Sequence, residues 1–115
     1  MTTPVLYHNP RCSKSREAKA LLDDAGIDYQ VRLYLTDPLS VAELKTLLKQ
    51  LGLSAADVLR RKEADAKAAG LDSNSSDEQI LDAMARFPKL LERPILVTGK
   101  GARIGRPPEA IREIL

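Results

Sequence analysis

The first 34 residues contain a strand pattern, a helix pattern and a second strand pattern, and this order constrains the fold more than any other feature. A short apolar run from Pro4 to His8 is followed by an Asn-Pro turn, and helical spacing lasts from about Ser13 to Ala25. Residues 29–34 then alternate with a period of two. Such a β-α-β unit predicts two parallel strands joined by a right-handed crossover. The turn before the helix should therefore lie at the carboxyl end of the first strand, where open α/β sheets bind ligands.

The middle of the chain is predicted to be entirely helical. Ser40 and Glu43 have the spacing of a capping box, and the helix that they start should end at Gly52. Another helix is expected from Ser54, and a third, after the polar loop 72–76, should stop at Pro88. The apolar face of the first helix is predicted to consist of Ala18, Leu21, Leu22 and Ala25. For the helix that starts at Ser40, the predicted apolar face is Leu44, Leu47, Leu48 and Leu51. For the helix that stops at Pro88, it is Ile80, Leu81, Met84 and Phe87.

The last 22 residues read as a hairpin followed by a helix. A strand over 94–98 and a second one near Arg103 and Ile104 flank the turn 99–101. Two prolines, Pro107 and Pro108, then open a helix that runs to Leu115. The order β-α-β, helical block, β-β-α predicts an α/β fold with a thioredoxin-like sheet. We expect a single domain over 1–115 with a helical insertion at approximately 40–91.

Composition excludes several classes of function. The net charge of +2 and the aromatic content of 3% give no basis for expecting nucleic-acid binding. No apolar run is long enough for a membrane span, and the first residues lack the pattern of a signal peptide. One cysteine and one histidine supply too few ligands for a closed zinc site, and a single cysteine cannot form an internal disulfide. The expectation is a cytoplasmic, monomeric protein without a bound metal or cofactor.

Cys12 is the candidate for chemistry, because it lies at the predicted N-terminus of the first helix. An ordinary thiol is only about 3% ionised at pH 7, whereas a pKa of about 6.5 would make it roughly 75% thiolate. Free helical N–H groups lower a thiol pKa and also bind oxyanions. Ser13 and Ser15 could donate hydroxyl groups, and four basic residues add positive charge: His8, Arg11, Lys14 and Arg16. The alternative interpretation is that Cys12 is a small buried apolar residue and that His8 and Ser15 have ordinary packing or capping roles.

Three arginines occupy positions where an oxyanion site could form. Arg93 precedes a proline at the start of a strand, Arg106 precedes two prolines at the start of a helix, and Arg60 lies within the helical block. Guanidinium groups are permanently charged and offer paired donors to tetrahedral oxyanions. Spacing alone leaves open whether the three converge, and Arg61 beside Arg60 leaves the first assignment open by one residue.

Four blocks of sequence resemble the glutaredoxin-coupled arsenate reductase family. They are YHNPRCSKSR at 7–16, LRRKE at 59–63, ERPILV at 92–97 and RIGRPPE at 103–109. The resemblance implies a thioredoxin-like fold, arsenate as substrate and Cys12 as the attacking nucleophile. It further implies glutathione as the external thiol donor, glutaredoxin as the protein partner, and arsenite as the product.

The resemblance also implies a role for each candidate residue. His8 and Ser15 would assist the thiolate, Arg60, Arg93 and Arg106 would bind the oxyanion, and Arg93-Pro94 would be a cis peptide. The residues around the cysteine, Arg11 and Ser13-Lys14, differ from those of the arsenic-resistance members and are closer to housekeeping relatives. The alternative is a non-catalytic thiol-redox or interaction module of the same fold, similar to regulators that bind RNA polymerase. Those regulators use a Cys-x-x-Cys pair, and here Ser15 stands at the second position.

Overall fold

The computed structural model describes residues 3–60 and 62–115. Its strands are β1 (Val5–Tyr7), β2 (Gln30–Arg32), β3 (Ile95–Thr98) and β4 (Gly101–Ile104). Its α-helices are α1 (Ser13–Asp24), α2 (Val41–Leu51), α3 (Ala64–Ala68) and α4 (Asp77–Arg86). Three further segments are 3₁₀ helices, at Ala56–Val58, Pro88–Leu90 and Pro108–Ile114. The chain divides into two compact units, one that runs up to Asp37 and resumes at Arg93, and one over Pro38–Glu92.

The first unit is built on a four-stranded mixed sheet with the strand order β2-β1-β3-β4. β1 pairs in parallel with β2, as the β-α-β pattern predicted, and β3 pairs antiparallel with both β1 and β4. Because β1 and β3 lie in the middle, their backbone groups are paired on both sides, whereas β2 is an edge strand.

A small apolar core joins one face of this sheet to α1 and to the C-terminal 3₁₀ helix. Leu6 and Leu96 are register partners on β1 and β3, and both side chains are fully buried. The remaining buried members of the cluster are Ala18, Leu22, Ile111 and Ile114. Since α1 supplies Ala18 and Leu22, burial of this face fixes the helix against the sheet and so fixes the position of its N-terminus.

The second unit consists of helices and turns. α2 and α4 each begin with a complete capping box, made by Ser40 with Glu43 and by Ser76 with Gln79. The first of these was predicted and is confirmed. An isolated antiparallel bridge pairs Leu59, which follows the 3₁₀ helix Ala56–Val58, with Leu91, which follows the 3₁₀ helix Pro88–Leu90.

Three local predictions were wrong. The strand predicted over 29–34 is confined to Gln30–Arg32, because the chain turns after Leu33, whose carbonyl oxygen accepts the Thr36 and Asp37 N–H groups. The segment after Ser54 forms only the 3₁₀ helix Ala56–Val58, because the backbone at Leu59 turns extended and pairs with Leu91. Ala25 is exposed and lies outside the apolar face of α1, because the helix ends at Asp24 and Ala25 is its C-cap. Within the described residues, no helix combines the length and apolar character needed to cross a membrane.

Candidate active site

The loop between β1 and α1 places Cys12 at the N-cap of the helix. Asn9 forms the turn: its carbonyl oxygen accepts the Cys12 N–H at 3.0 Å, and its side-chain Oδ1 accepts the Arg11 N–H at 3.0 Å. The Cys12 carbonyl oxygen then accepts the Arg16 N–H at 3.0 Å, which is the first hydrogen bond of α1. The sequence folds in this way because an Asn side chain can imitate a backbone turn and Pro10 fixes its own φ.

Cys12 is buried, with 9% of its surface exposed, yet its surroundings lower the pKa of its thiol. Burial by itself raises the pKa of Cys12, but the Ser15 N–H, the Arg93 guanidinium, the Lys14 N–H and the Arg106 guanidinium together outweigh burial and bring the pKa below its ordinary value. The neutral thiol makes no capping hydrogen bond of ordinary geometry to a described residue. The Ser15 and Lys14 N–H groups therefore stabilise the negative charge of a Cys12 thiolate more than they stabilise the neutral thiol.

His8 and Ser15 form a buried pair behind the cysteine. The His8 Nδ1 and the Ser15 Oγ share a hydrogen bond of 2.6 Å, and the Ser15 Oγ also accepts the Asn9 N–H at 3.0 Å. Burial, together with the positive charges of Lys19 and Arg16, lowers the pKa of His8, so the imidazole is neutral near pH 7. The expectation that His8 adds positive charge beside Cys12 was wrong, because its burial is a tertiary property. Ser15 acts on the sulfur through its backbone N–H, while its hydroxyl ties the β1 end to α1.

Arg93 and Arg106 belong to the same unit as Cys12, and both are close enough to lower its pKa. They are also linked to each other, since the Arg106 Nε donates to the Arg93 carbonyl oxygen at 3.0 Å. The Arg93 side chain has an unusual environment. Its Nε and Nη1 are buried and have no hydrogen-bond partner among residues 3–60 and 62–115. Buried donors are almost always paired in proteins, and an exception is typical of a functional site.

Each of these arginines is joined to the proline that follows it by a cis peptide bond. Arg93-Pro94 is cis, as the resemblance implied, and Arg106-Pro107 is cis as well. Gly105 donates its N–H to the Pro94 carbonyl oxygen at 2.7 Å. A Cβ atom at Gly105 would come to 2.7 Å from Pro94 Cγ. Glycine at this position therefore lets the segment before Arg106 pack on the segment after Arg93.

Arg60 lies in the second unit, and its guanidinium contacts two carboxylates. The Nη1 is 2.7 Å from a Glu63 oxygen, and the Nε is 3.4 Å from a Glu92 oxygen. Its backbone N–H donates to the Leu90 carbonyl oxygen at 2.7 Å, next to the bridge between Leu59 and Leu91. Arg61, the alternative at this position, lies outside the described residues.

The sequence pattern predicted Asn9 in the turn but not the hydrogen bond of its side chain to the Arg11 N–H, and it did not single out Gly105. Asn9 had a recognisable signal, since an Asn followed by Pro is a common turn start and its side chain favours local backbone bonds. Gly105 had none, because only the three-dimensional structure brings it against Pro94. In the described parts of the chain, no cluster of three or more His, Cys, Asp or Glu residues could hold a metal ion.

Comparison with known proteins identifies relatives that share nearly the whole chain. YfgD of Escherichia coli K12, an uncharacterized protein, is 51% identical over 112 residues, which cover 96% of this chain and 94% of that protein. A Haemophilus influenzae protein named arsenate reductase is 42% identical over 113 residues, covering 96% of this chain and 97% of that one.

A solved structure gives the same picture of the fold. The arsenate reductase from Vibrio cholerae superposes with a TM-score of 0.93 at 52% identity, covering 98% of each chain. This likeness confirms the thioredoxin-like α/β class that the element order predicted. The model of the ArsC family matches residues 7–114, a range that includes Cys12, Arg60, Arg93 and Arg106. The chain belongs to the ArsC family.

Proposed function

We propose that this protein is an arsenate reductase in which the Cys12 thiolate attacks arsenate and glutathione and glutaredoxin supply the reducing thiols. The single observation that carries the proposal is the pair of buried Arg93 donors, Nε and Nη1, which have no acceptor among the described residues and belong to a guanidinium that lowers the Cys12 pKa. A cation that stabilises a thiolate and also has spare buried donors suits a reaction between a thiolate and an oxyanion. The names of the relatives from Haemophilus influenzae and Vibrio cholerae support arsenate as that oxyanion.

The first chemical step forms a bond between sulfur and arsenic. Guanidinium groups and helical N–H groups hold the oxyanion and withdraw electron density from arsenic. The Cys12 sulfur donates an electron pair to arsenic, and one arsenate oxygen leaves as water after taking up protons. Arsenic remains in the +5 state. Preorganised donors favour this step because their orientation is fixed before charge develops on the oxygens.

Two external thiols complete the reaction. The glutathione thiolate displaces a second oxygen from arsenic, which again leaves as water, so that arsenic carries both sulfurs. A glutaredoxin thiolate then attacks the glutathione sulfur and forms a mixed disulfide, and the electron pair of the broken sulfur–arsenic bond reduces arsenic to the +3 state. Water releases arsenite from Cys12. The scheme consumes two thiols for two electrons, as a chain with one cysteine requires. We place the reaction in the cytoplasm, where glutathione is kept reduced.

In this proposal, each remaining site residue has a distinct role. Arg106 helps to bind the oxyanion, and the linked pair of His8 and Ser15 positions the helix N-terminus. Phosphate has the same tetrahedral shape and similar charge, so it should bind competitively without being reduced. Selectivity then resides in the chemistry, because thiols reduce arsenic(V) but not phosphorus(V).

The test is arsenite production by the purified protein with arsenate, glutathione and glutaredoxin. We expect Cys12→Ser to abolish turnover. Arg93→Ala and Arg106→Ala should each lower kcat/KM by about 10²-fold or more, because each removes charge stabilisation at the reacting oxyanion. Arg112→Ala is the matched control, since Arg112 is an exposed arginine of the C-terminal 3₁₀ helix. Turnover no higher than that of Cys12→Ser would contradict the proposal, and recovery of RNA polymerase from extract by such an inactive protein would favour the interaction module instead.

A further inference from the structure

A groove of about 280 Å³ lies beside the loop that carries Cys12. One wall is the segment directly before the cysteine, and the other is the chain that follows edge strand β2. The lining residues are His8, Asn9, Pro10, Arg11, Leu33, Leu35 and Thr36. Cys12 is not part of the lining but is the next residue after Arg11. A ligand in this groove would therefore contact the loop that carries the nucleophile.

The groove combines an apolar wall with one permanent positive charge. Leu33 is 43% exposed and is one of three large apolar side chains that are exposed in the described part of the chain. Arg11 is exposed, and its guanidinium has no hydrogen bond or ion pair to any described residue. Among the described residues, no acidic side chain lines the groove, and burial keeps His8 neutral. Charge complementarity thus favours a ligand that has a carboxylate beside apolar or peptide groups.

The size of the groove favours a small molecule over a protein. The groove volume of about 280 Å³ is close to the roughly 300 Å³ of the smallest ligand pockets in proteins. A stable protein interface, by contrast, buries about 800 Å² on each partner. Arsenate itself suits this surface poorly, because three of the lining side chains are leucine or proline and only one is cationic.

We infer that this groove binds the external thiol as a small thiol with carboxylate groups, of the glutathione type, with a carboxylate beside Arg11 and its backbone against Leu33 and Leu35. The inference rests on the proposed function, because a chain with one cysteine takes its second sulfur from outside. The bound thiolate forms a sulfur–arsenic bond to the arsenic carried by Cys12, and an arsenic-bound oxygen leaves as water. No electron transfer occurs in this step. Arg11 is a binding residue for the thiol and not for the oxyanion.

The first arm of the test compares a charged thiol with an uncharged one. Arsenite production is measured with glutathione and with 2-mercaptoethanol for the wild type, Arg11→Glu and the matched control Arg112→Glu, which makes the same change of net charge on the C-terminal 3₁₀ helix. We expect Arg11→Glu to lower the ratio of kcat/KM for glutathione to that for 2-mercaptoethanol about fivefold to tenfold, as expected for an exposed ion pair that is lost and reversed. An unchanged ratio, or an equal fall in Arg112→Glu, would overturn the inference.

The second arm measures binding without turnover. S-methylglutathione, which has no free thiol, is titrated into ¹⁵N-labelled wild-type protein. The expected result is amide shift changes at Arg11, Leu33, Leu35 and Thr36 that saturate, with weaker binding in Arg11→Glu. Shift changes that map elsewhere, or equal affinity in Arg11→Glu, would overturn the inference. If arsenite forms with neither thiol, the proposed function fails, and this binding arm still decides whether the groove holds the ligand.

Discussion

Replacing Arg93 by methionine should make the protein more stable and less active. The Arg93 Nε and Nη1 are buried without a partner in the described chain, and a buried donor left unpaired costs about 1–3 kcal/mol. Methionine has a similar length and no donors. Taking the lower figure for each of two donors and subtracting roughly 1 kcal/mol for lost packing and lost attraction to the Cys12 thiolate, we expect the free energy of unfolding to rise by about 1 kcal/mol.

Urea unfolding followed by circular dichroism measures this change. With a slope of about 1–3 kcal/mol per molar urea, the midpoint of Arg93→Met should rise by about 0.3–1 M. The buffer must exclude phosphate and sulfate, because an anion that binds only the folded state would stabilise the wild type selectively. Arg106→Met is the control with the opposite sign, since the Arg106 Nε donates to the Arg93 carbonyl oxygen and its loss should destabilise the protein by about 1 kcal/mol. A midpoint for Arg93→Met below that of the wild type would refute the reasoning.

Three further predictions concern the stability of the fold. Acidification from pH 7.5 to about pH 5 should destabilise the wild type more steeply than the variant His8→Asn. The pKa of His8 in the folded protein is lowered from 6.5, so the unfolded chain binds a proton on His8 more readily as the pH falls through that range. Equal slopes of unfolding free energy against pH in the two proteins would contradict this. Gly105→Ala should lose about 1–3 kcal/mol in urea unfolding, because its Cβ would lie 2.7 Å from Pro94 Cγ, whereas Gly99→Ala, with nothing within 4 Å, should change stability by less than about 0.5 kcal/mol. Ser76→Ala should cost about 1 kcal/mol by breaking the capping box of α4, and exposed Ser73→Ala should not; equal midpoints for the two variants would contradict the capping role.

The sequence patterns that succeeded depend on neighbours along the chain. Parallel pairing of β1 and β2 followed from two short apolar segments around one helix, and the capping box at Ser40 from a spacing of three residues. The position of Cys12 at a helix N-cap followed from the start of helical periodicity at Ser13. Each of these properties is decided within a few residues, so periodicity and capping chemistry are sufficient to predict it.

The properties that could not be predicted depend on distant segments. Leu59 turns extended because Leu91 pairs with it, which overrides the helical tendency after Ser54. The charge of His8 depends on burial, and a sequence pattern alone does not give the burial of a single side chain. The packing of Gly105 against Pro94 and the unpaired donors of Arg93 likewise arise only when segments 93–94 and 105–106 meet.

The central claim is that Cys12 is a thiolate beside an oxyanion site. The most direct test is the rate at which iodoacetamide alkylates Cys12, measured as a function of pH with and without phosphate. Only the thiolate reacts, so the midpoint of the rate profile reports the Cys12 pKa. We predict a midpoint below about 8.5, the ordinary value for a cysteine, and a slower reaction at every pH when phosphate is present. A midpoint at or above about 8.5, with rates that phosphate does not alter, would contradict the account.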